Sequence, residues 1–172
     1  MIKSKMLKFF KKIVFLIFSV FFCVEINTAL AQNPIQIPID LIPLKIKTEQ
    51  GIISYEVELA FSPVQSKAGL MYRTDFPRNR AMLFKNLMNN EQIFMWMANT
   101  PLSLDMIFLN SEGDIVSIFE KLSPFSTEII SSKMPATFAI EVNAGEVFEK
   151  KYKKDSVLFI LLFVENVRVI KE

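Results

Sequence analysis

Ile53-Ser54-Tyr55-Glu56-Val57-Glu58-Leu59 alternates apolar with polar side chains. Successive side chains of an extended chain point to opposite faces, so this period of two marks a half-buried β-strand. Just beyond it, Ser62-Pro63-Val64-Gln65 sets serine at a helix N-cap, proline at the first helical position and glutamine three residues after the cap. A short helix starting at Pro63 is therefore predicted. It should end near Gly69, because glycine suits the left-handed conformation in which helices commonly terminate.

Working outward, strands are predicted at residues 81–84, 93–97, 104–109, 115–119, 137–142 and 157–164. Turn-forming residues at 86–90, 99–101, 111–114 and 143–145 separate them, and Ser111-Glu112-Gly113-Asp114 reads as a hairpin turn. Residues 157–164 are apolar on both faces, which places them in the middle of the packing. The fold class is mainly β (α+β): a compact single β-rich domain over residues 51–172, with one or two short helices and a small barrel among the forms open to it. Residues 32–50 precede it as an extended, partly mobile lead-in, since Pro34, Pro38 and Pro43 forbid a helix.

The N-terminus has the layout of a signal peptide. Lys3, Lys5, Lys8, Lys11 and Lys12 form a basic region, an apolar run covers residues 13–24, and Ala29-Leu30-Ala31 supplies small residues for cleavage after Ala31. Glu25 and Asn27 stop that run short of the roughly 20 residues that a membrane span requires. Cys23 follows bulky Phe22, a poor context for lipidation. The reading is a signal peptide at 1–31, export to the periplasm or beyond, and no membrane anchor after cleavage.

Cleavage changes the charge balance. The 172-residue chain carries 20 Lys+Arg and 18 Asp+Glu. Residues 1–31 hold five of the former and one of the latter, which leaves 15 against 17 and a net charge of −2. Such a domain lacks the basic stripe that binds nucleic acid. Lys150, Lys151, Lys153 and Lys154 are the local exception, read as a solvated turn before a strand. The chain has no histidine and a single cysteine, Cys23, which the signal removes. Disulfides, a thiol nucleophile, a Ser-His-Asp triad and a His/Cys zinc site are thereby excluded from the mature domain. Met71, Met82, Met95, Met97, Met106 and Met134 are soft donors of the kind that hold Cu(I), but methionine is a common core filler, so no metal or other cofactor is assigned.

Three motifs stand in fixed order: Gly69-Leu70-Met71-Tyr72-Arg73, then Met82-Leu83-Phe84, then Trp96-Met97-Ala98-Asn99-Thr100 running into Leu104-Asp105. From Tyr55 to Val157 the chain resembles the family known as domain of unknown function 192. The resemblance implies a compact β-rich domain, often exported, of unknown activity. The chain departs from the family pattern at Ala81 and Lys154, where glycine is usual, and at Ala98, where lysine is usual.

Two constellations are candidates for function. Arg73, beside an apolar block, offers a rigid fork of donors suited to an anion, or else forms a buried ion pair with Asp105 or Glu141. Trp96, Asn99, Thr100 and Asp105 could line a pocket for a small polar ligand, carbohydrate being the chemistry they most readily suggest, or could simply turn the chain between strands. With Glu141 these five residues make the candidate ligand site. The leading reading is a non-catalytic binding module for a small polar or anionic ligand. One alternative is a structural or protein-interaction role with an exposed apolar patch around Met71 or Trp96. The other is a hydrolase using Asp105 and Glu141, with Glu128 or Asp155, as paired carboxylates.

Overall fold

The computed structural model describes Lys12 and residues 33–86, 91–152 and 157–159. Lys12 aside, residues 1–31, read from the sequence as a signal peptide, lie outside the described residues, Cys23 among them, as do Lys153, Lys154, Asp155 and residues 160–164. The compact unit Pro34–Glu172 contains β1 (Leu44–Thr48), β2 (Gly51–Ala60), α1 (Pro63–Ala68), β3 (Arg80–Lys85), β4 (Phe94–Met95), β5 (Leu104–Leu109), β6 (Ile115–Leu122), β7 (Ile130–Ser131), β8 (Phe138–Asn143), α2 (Glu146–Glu149) and β9 (Val157–Phe159). Seven strands form one sheet in the order β6-β5-β8-β3-β2-β1-β9, and β4 and β7 form a separate two-stranded ribbon. The larger sheet curls into a half-barrel. Its end strands β6 and β9 pair on one side only, so among the described residues the barrel does not close.

Local chemistry sets the elements much as the sequence implies. The capping box at α1 forms in both directions: Gln65 N donates to Ser62 Oγ at 3.2 Å and Ser62 N to Gln65 Oε1 at 3.0 Å. Gly69 ends the helix at φ 46°, ψ −131°, a conformation hostile to any side chain, and a Cβ there would meet the Phe84 ring at 3.4 Å. The β5–β6 hairpin turns on Asn110, whose Oδ1 accepts from the backbone of Glu112 and Asp114, both at 2.9 Å.

Four differences have physical causes. Leu44–Thr48 joins the sheet from inside the expected lead-in, its Leu44, Ile46 and Thr48 buried in alternation. The lead-in itself is docked: Ile37 is buried, and Asp40 N donates to Val57 O at 2.8 Å. The strand expected at 93–97 keeps only Phe94–Met95. It pairs with the two residues of β7, and Met97 leaves to donate to Ser126 O at 3.0 Å. Val157–Phe159 stands at the end of the strand order and not in the middle of the sheet, because its backbone pairs with β1, which itself follows β2, and among the described residues with no other strand.

The sheet is covered on both faces. One apolar cluster gathers Tyr55, Val57, Leu83, Ile107, Ile140, Val142 and Val147. The other gathers Ala60, Leu70, Met82, Phe84, Met97, Met106, Phe108 and Ala139. Met82, Met97 and Met106 therefore act as core filler. Polar residues that fall on an inward position of this two-faced sheet must find partners inside the protein.

Candidate functional site

Arg73 meets neither Asp105 nor Glu141. Its guanidinium donates twice to Glu58, NH1 to Oε2 at 2.6 Å and NH2 to Oε1 at 3.1 Å, with both side chains buried. Arg80 NH1 lies 3.6 Å from Glu58 Oε1, and the Phe76 ring lies under the Arg73 guanidinium, 5.3 Å from ring centroid to Cζ. Of the two readings of Arg73, the buried ion pair is the one that forms, with Glu58 as partner in place of Asp105 or Glu141, so the fork is occupied by a carboxylate of the chain itself.

Asp105 is also engaged. Its Oδ1 accepts from Lys121 N at 2.8 Å and its Oδ2 from Val147 N at 2.9 Å. Fully buried, it braces the end of β6 and the first turn of α2 against β5. Asparagine at 105 would turn an amide NH₂ toward one of these two N–H groups. We expect Asp105→Asn to lower stability by about 2 kcal/mol in urea denaturation, the cost of one buried donor left without an acceptor.

Register settles the carboxylate pair. Along β5 and β8, Asp105 faces Val142 and Met106 faces Glu141. Residues opposite one another share a face and neighbours along a strand alternate, so Asp105 and Glu141 lie on opposite faces of the sheet. They cannot flank one bond, and the paired-carboxylate hydrolase loses its geometry. Glu128 is exposed in the segment that precedes β7.

Glu141 is the residue left without an explanation in the architecture. It stands between Met82 of β3 and Met106 of β5, 4 % exposed, and its Oε2 has no hydrogen-bond partner among the described residues. Burial raises its pKa from the ordinary 4.5 to about 8. It lines a cavity of about 490 Å³. Leu70, Phe84 and Thr100 form the buried part of that lining with it, while Lys67, Glu91, Gln92, Phe94 and Trp96 are exposed members. The end of α1, strands β3 and β8, and the segment carrying β4 converge to make these walls.

Of the six sequence-predicted residues, the cavity therefore brings together Trp96, Thr100 and Glu141, and leaves Arg73, Asn99 and Asp105 outside its lining. Asn99 makes the turn, at φ 58°, where its carbonyl accepts from Tyr72 N at 2.7 Å. Thr100 Oγ1 approaches Ala98 O at 3.4 Å. Ser66, Met71, Lys85, Ile93 and Met95 are among the other lining residues, and no sequence pattern groups them, because they come from separate parts of the chain.

A second polar cluster has no counterpart in the sequence reading. Tyr55 OH donates to Glu146 Oε2 at 2.9 Å and receives hydrogen bonds from Lys150 Nζ at 3.0 Å and Tyr152 OH at 2.8 Å. Lys150 also pairs with Glu146, and Arg78 Nε stands 3.0 Å from Glu146 Oε1 without hydrogen-bond geometry. Burial, before any neighbouring charge, pushes both tyrosines far above the ordinary phenol value. Lys150 is accordingly half-buried and bonded, not part of a solvated turn. With Glu146 wholly buried, the cluster works as a lock that holds α2 on β2.

The chain matches the sequence profile of DUF192, described as "Uncharacterized ACR", over residues 44–160. The chain belongs to the DUF192 family. Its fold is shared by a candidate transcription regulator from Sinorhizobium meliloti 1021, with a TM-score of 0.67 and 34 % identity over 72 % of this chain and 96 % of that one. A protein of unknown function from Novosphingobium aromaticivorans DSM 12444 also superposes with a TM-score of 0.67, at 22 % identity over 76 % and 94 % of the two chains, a likeness of fold alone. No curated protein matches in sequence. Trp96, Met97, Asn99 and Thr100 fall within the matched residues; Trp96 and Thr100 line the cavity, and Asn99 makes the turn between them.

Proposed function

We propose that this DUF192 domain is an exported, non-catalytic binding module for a small ligand with an apolar body and a polar head. The observation that carries the reading is Glu141: a buried carboxyl with an unsatisfied oxygen, set in the lining of a cavity of ligand size. Trp96, 44 % exposed on the same lining, offers a flat surface for stacking. The anionic-ligand reading loses its support with Arg73 tied to Glu58. Carbohydrate remains a candidate through Trp96 and Glu141. The regulator description of the Sinorhizobium protein does not transfer to a mature chain of net charge −2 without a basic stripe. Export rests on the signal-like residues 1–31, and no helix among the described residues is long and apolar enough to cross a membrane.

The test exploits the single tryptophan. Small molecules bearing an apolar ring and one polar group should change Trp96 emission saturably and raise the melting temperature, and a ligand at a hundred times its dissociation constant adds about 2.7 kcal/mol. Trp96→Ala should weaken that thermal shift. A broad screen in which emission and melting both stay unchanged would remove the binding reading.

One observation favours a protein-interaction role as a second reading. Phe125, Ile129 and Met134, outside the cavity lining, are 63, 59 and 53 % exposed on the segment that contains β7. Sedimentation at increasing concentration would reveal association through it, which replacing all three by serine should abolish.

A further inference from the structure

We propose that the cavity selects a small organic cation, a primary ammonium carried on an apolar ring or chain, with Glu141 as its counter-ion. This deepens the binding reading and rests on it. The argument starts from what the cavity offers. Leu70, Met71, Phe84, Ile93, Met95 and Trp96 give it apolar walls, against which a many-hydroxyl ligand would leave most of its polar groups unmatched. A ligand with one polar head and an apolar body leaves none unmatched once the head meets Glu141.

The charge of that head follows from the groups around Glu141. Glu58 shares its sheet face one strand beyond Met82, but Glu58 is paired with Arg73 and approached by Arg80. Asp105 lies on the opposite face. Lys67, Lys85 and Glu91 line the cavity. No ion pair to Glu141 is found from any of them among the described residues, its Oε2 has no hydrogen-bond partner, and burial is the cause that raises its pKa to about 8. An uncompensated buried carboxylate gains most from a cation that arrives desolvated beside it, and an anionic head would face the opposite of attraction. Binding an ammonium forms the carboxylate by expelling the Glu141 proton to solvent, with no bond to the ligand made or broken. Affinity should therefore rise about tenfold per pH unit up to pH 8 and level off above it, as long as the ligand itself stays protonated.

The experiment compares three near-isosteric probes on the purified protein: benzylammonium, benzyl alcohol and benzoate, followed by Trp96 emission and by calorimetry in two buffers of different ionisation enthalpy. The expected result at pH 8 is benzylammonium binding at least tenfold more tightly than either other probe. At pH 7, about one proton should be released per ammonium bound. Glu141→Gln, which keeps shape and hydrogen bonding, should abolish both the preference and the proton release. Glu141→Asp, which keeps the charge at shorter reach, should retain part of the preference and guards against a loss caused by misfolding. Alcohol and ammonium binding equally, unaffected by Glu141→Gln, would overturn the cation inference and leave the cavity standing as a site for neutral ligands. A preference for benzoate would overturn it too and assign the site to Lys67 and Lys85 instead. No response to any of the three probes at millimolar concentration overturns the cation inference, and if the broader screen is equally silent the binding reading falls with it.

Discussion

Arg73→Ala should destabilise the domain by about 3 to 5 kcal/mol, because it strands the Glu58 carboxylate in the interior. The Glu58 side chain is 2 % exposed, and its two bonds to Arg73 are charge-assisted and bidentate. After truncation the nearest remaining cation is Arg80 NH1, 3.6 Å away and shared with Glu56, whose Oε2 lies 3.1 Å from Arg80 NH2. Arg80 cushions the loss without replacing the fork. Arg73→Lys keeps the charge but offers a point donor in place of two parallel ones, so its cost should fall between alanine and the parent. Replacing both partners with apolar residues, Glu58→Leu with Arg73→Met, should cost much less than either single change, since a buried pair barely repays its own desolvation. A double-mutant cycle by urea denaturation measures all of this. Arg73→Ala remaining within about 1 kcal/mol of the parent would mean that Glu58 finds water or protonates at little cost, and the pair would then not be a strut of the fold.

That pair also shows how far the sequence can be read. Ile53, Tyr55, Val57 and Leu59 mark an apolar face of β2, and the polar residues between them suggest solvent on the other. Yet β2 lies between β1 and β3 with a second apolar cluster over its other face, and Glu58 is 1 % exposed there. The alternation says that the two faces differ, not that the polar one is wet. Once a second layer covers that face, the carboxylate has to be paired, and its partner comes from the loop after α1. The helix start at Ser62 and the strand Leu104–Leu109 are legible because their causes are local: a capping box in one case, an apolar run interrupted by Asp105 alone in the other. β1 is obscured by the prolines before it and by lysines on its outer face, and the Tyr55–Glu146–Tyr152 lock joins residues more than ninety apart, a separation no local pattern encodes.

Asp105 and Glu141 illustrate the same limit within the candidate site. Each interrupts an apolar strand, and in sequence they are equivalent. A register different by one residue between β5 and β8 would have put them on the same face. The observed register sends Asp105 to backbone donors and Glu141 to a cavity wall where its Oε2 meets no hydrogen-bond partner among the described residues, and that difference separates a brace from a candidate ligand group.

Glu141→Gln should therefore do what loss of a native carboxylate rarely does, and stabilise the protein in alkaline solution. In the native state the group titrates at about 8, against 4.5 when unburied, so between these values the folded protein holds a proton that the unfolded chain has released. Stability must then fall as pH rises from 4.5 to 8 and become level beyond, where both states are ionised. Glutamine does not titrate, and groups elsewhere contribute equally to parent and variant, so their difference isolates Glu141. Relative to the parent, the variant should gain on the order of 4 kcal/mol from about pH 5 to about pH 9, since moving a pKa by one corresponds to about 1.4 kcal/mol. Urea denaturation of both proteins at a series of pH values reads this directly. A difference that stays flat across the series would show that Glu141 ionises in place at its ordinary pH, which requires a donor or water within the cavity and would remove the ground for the proposed cationic ligand. A rising difference would instead give the proposed cationic head a measured driving force: the penalty that Glu141 carries alone is the penalty that an ammonium beside it would remove.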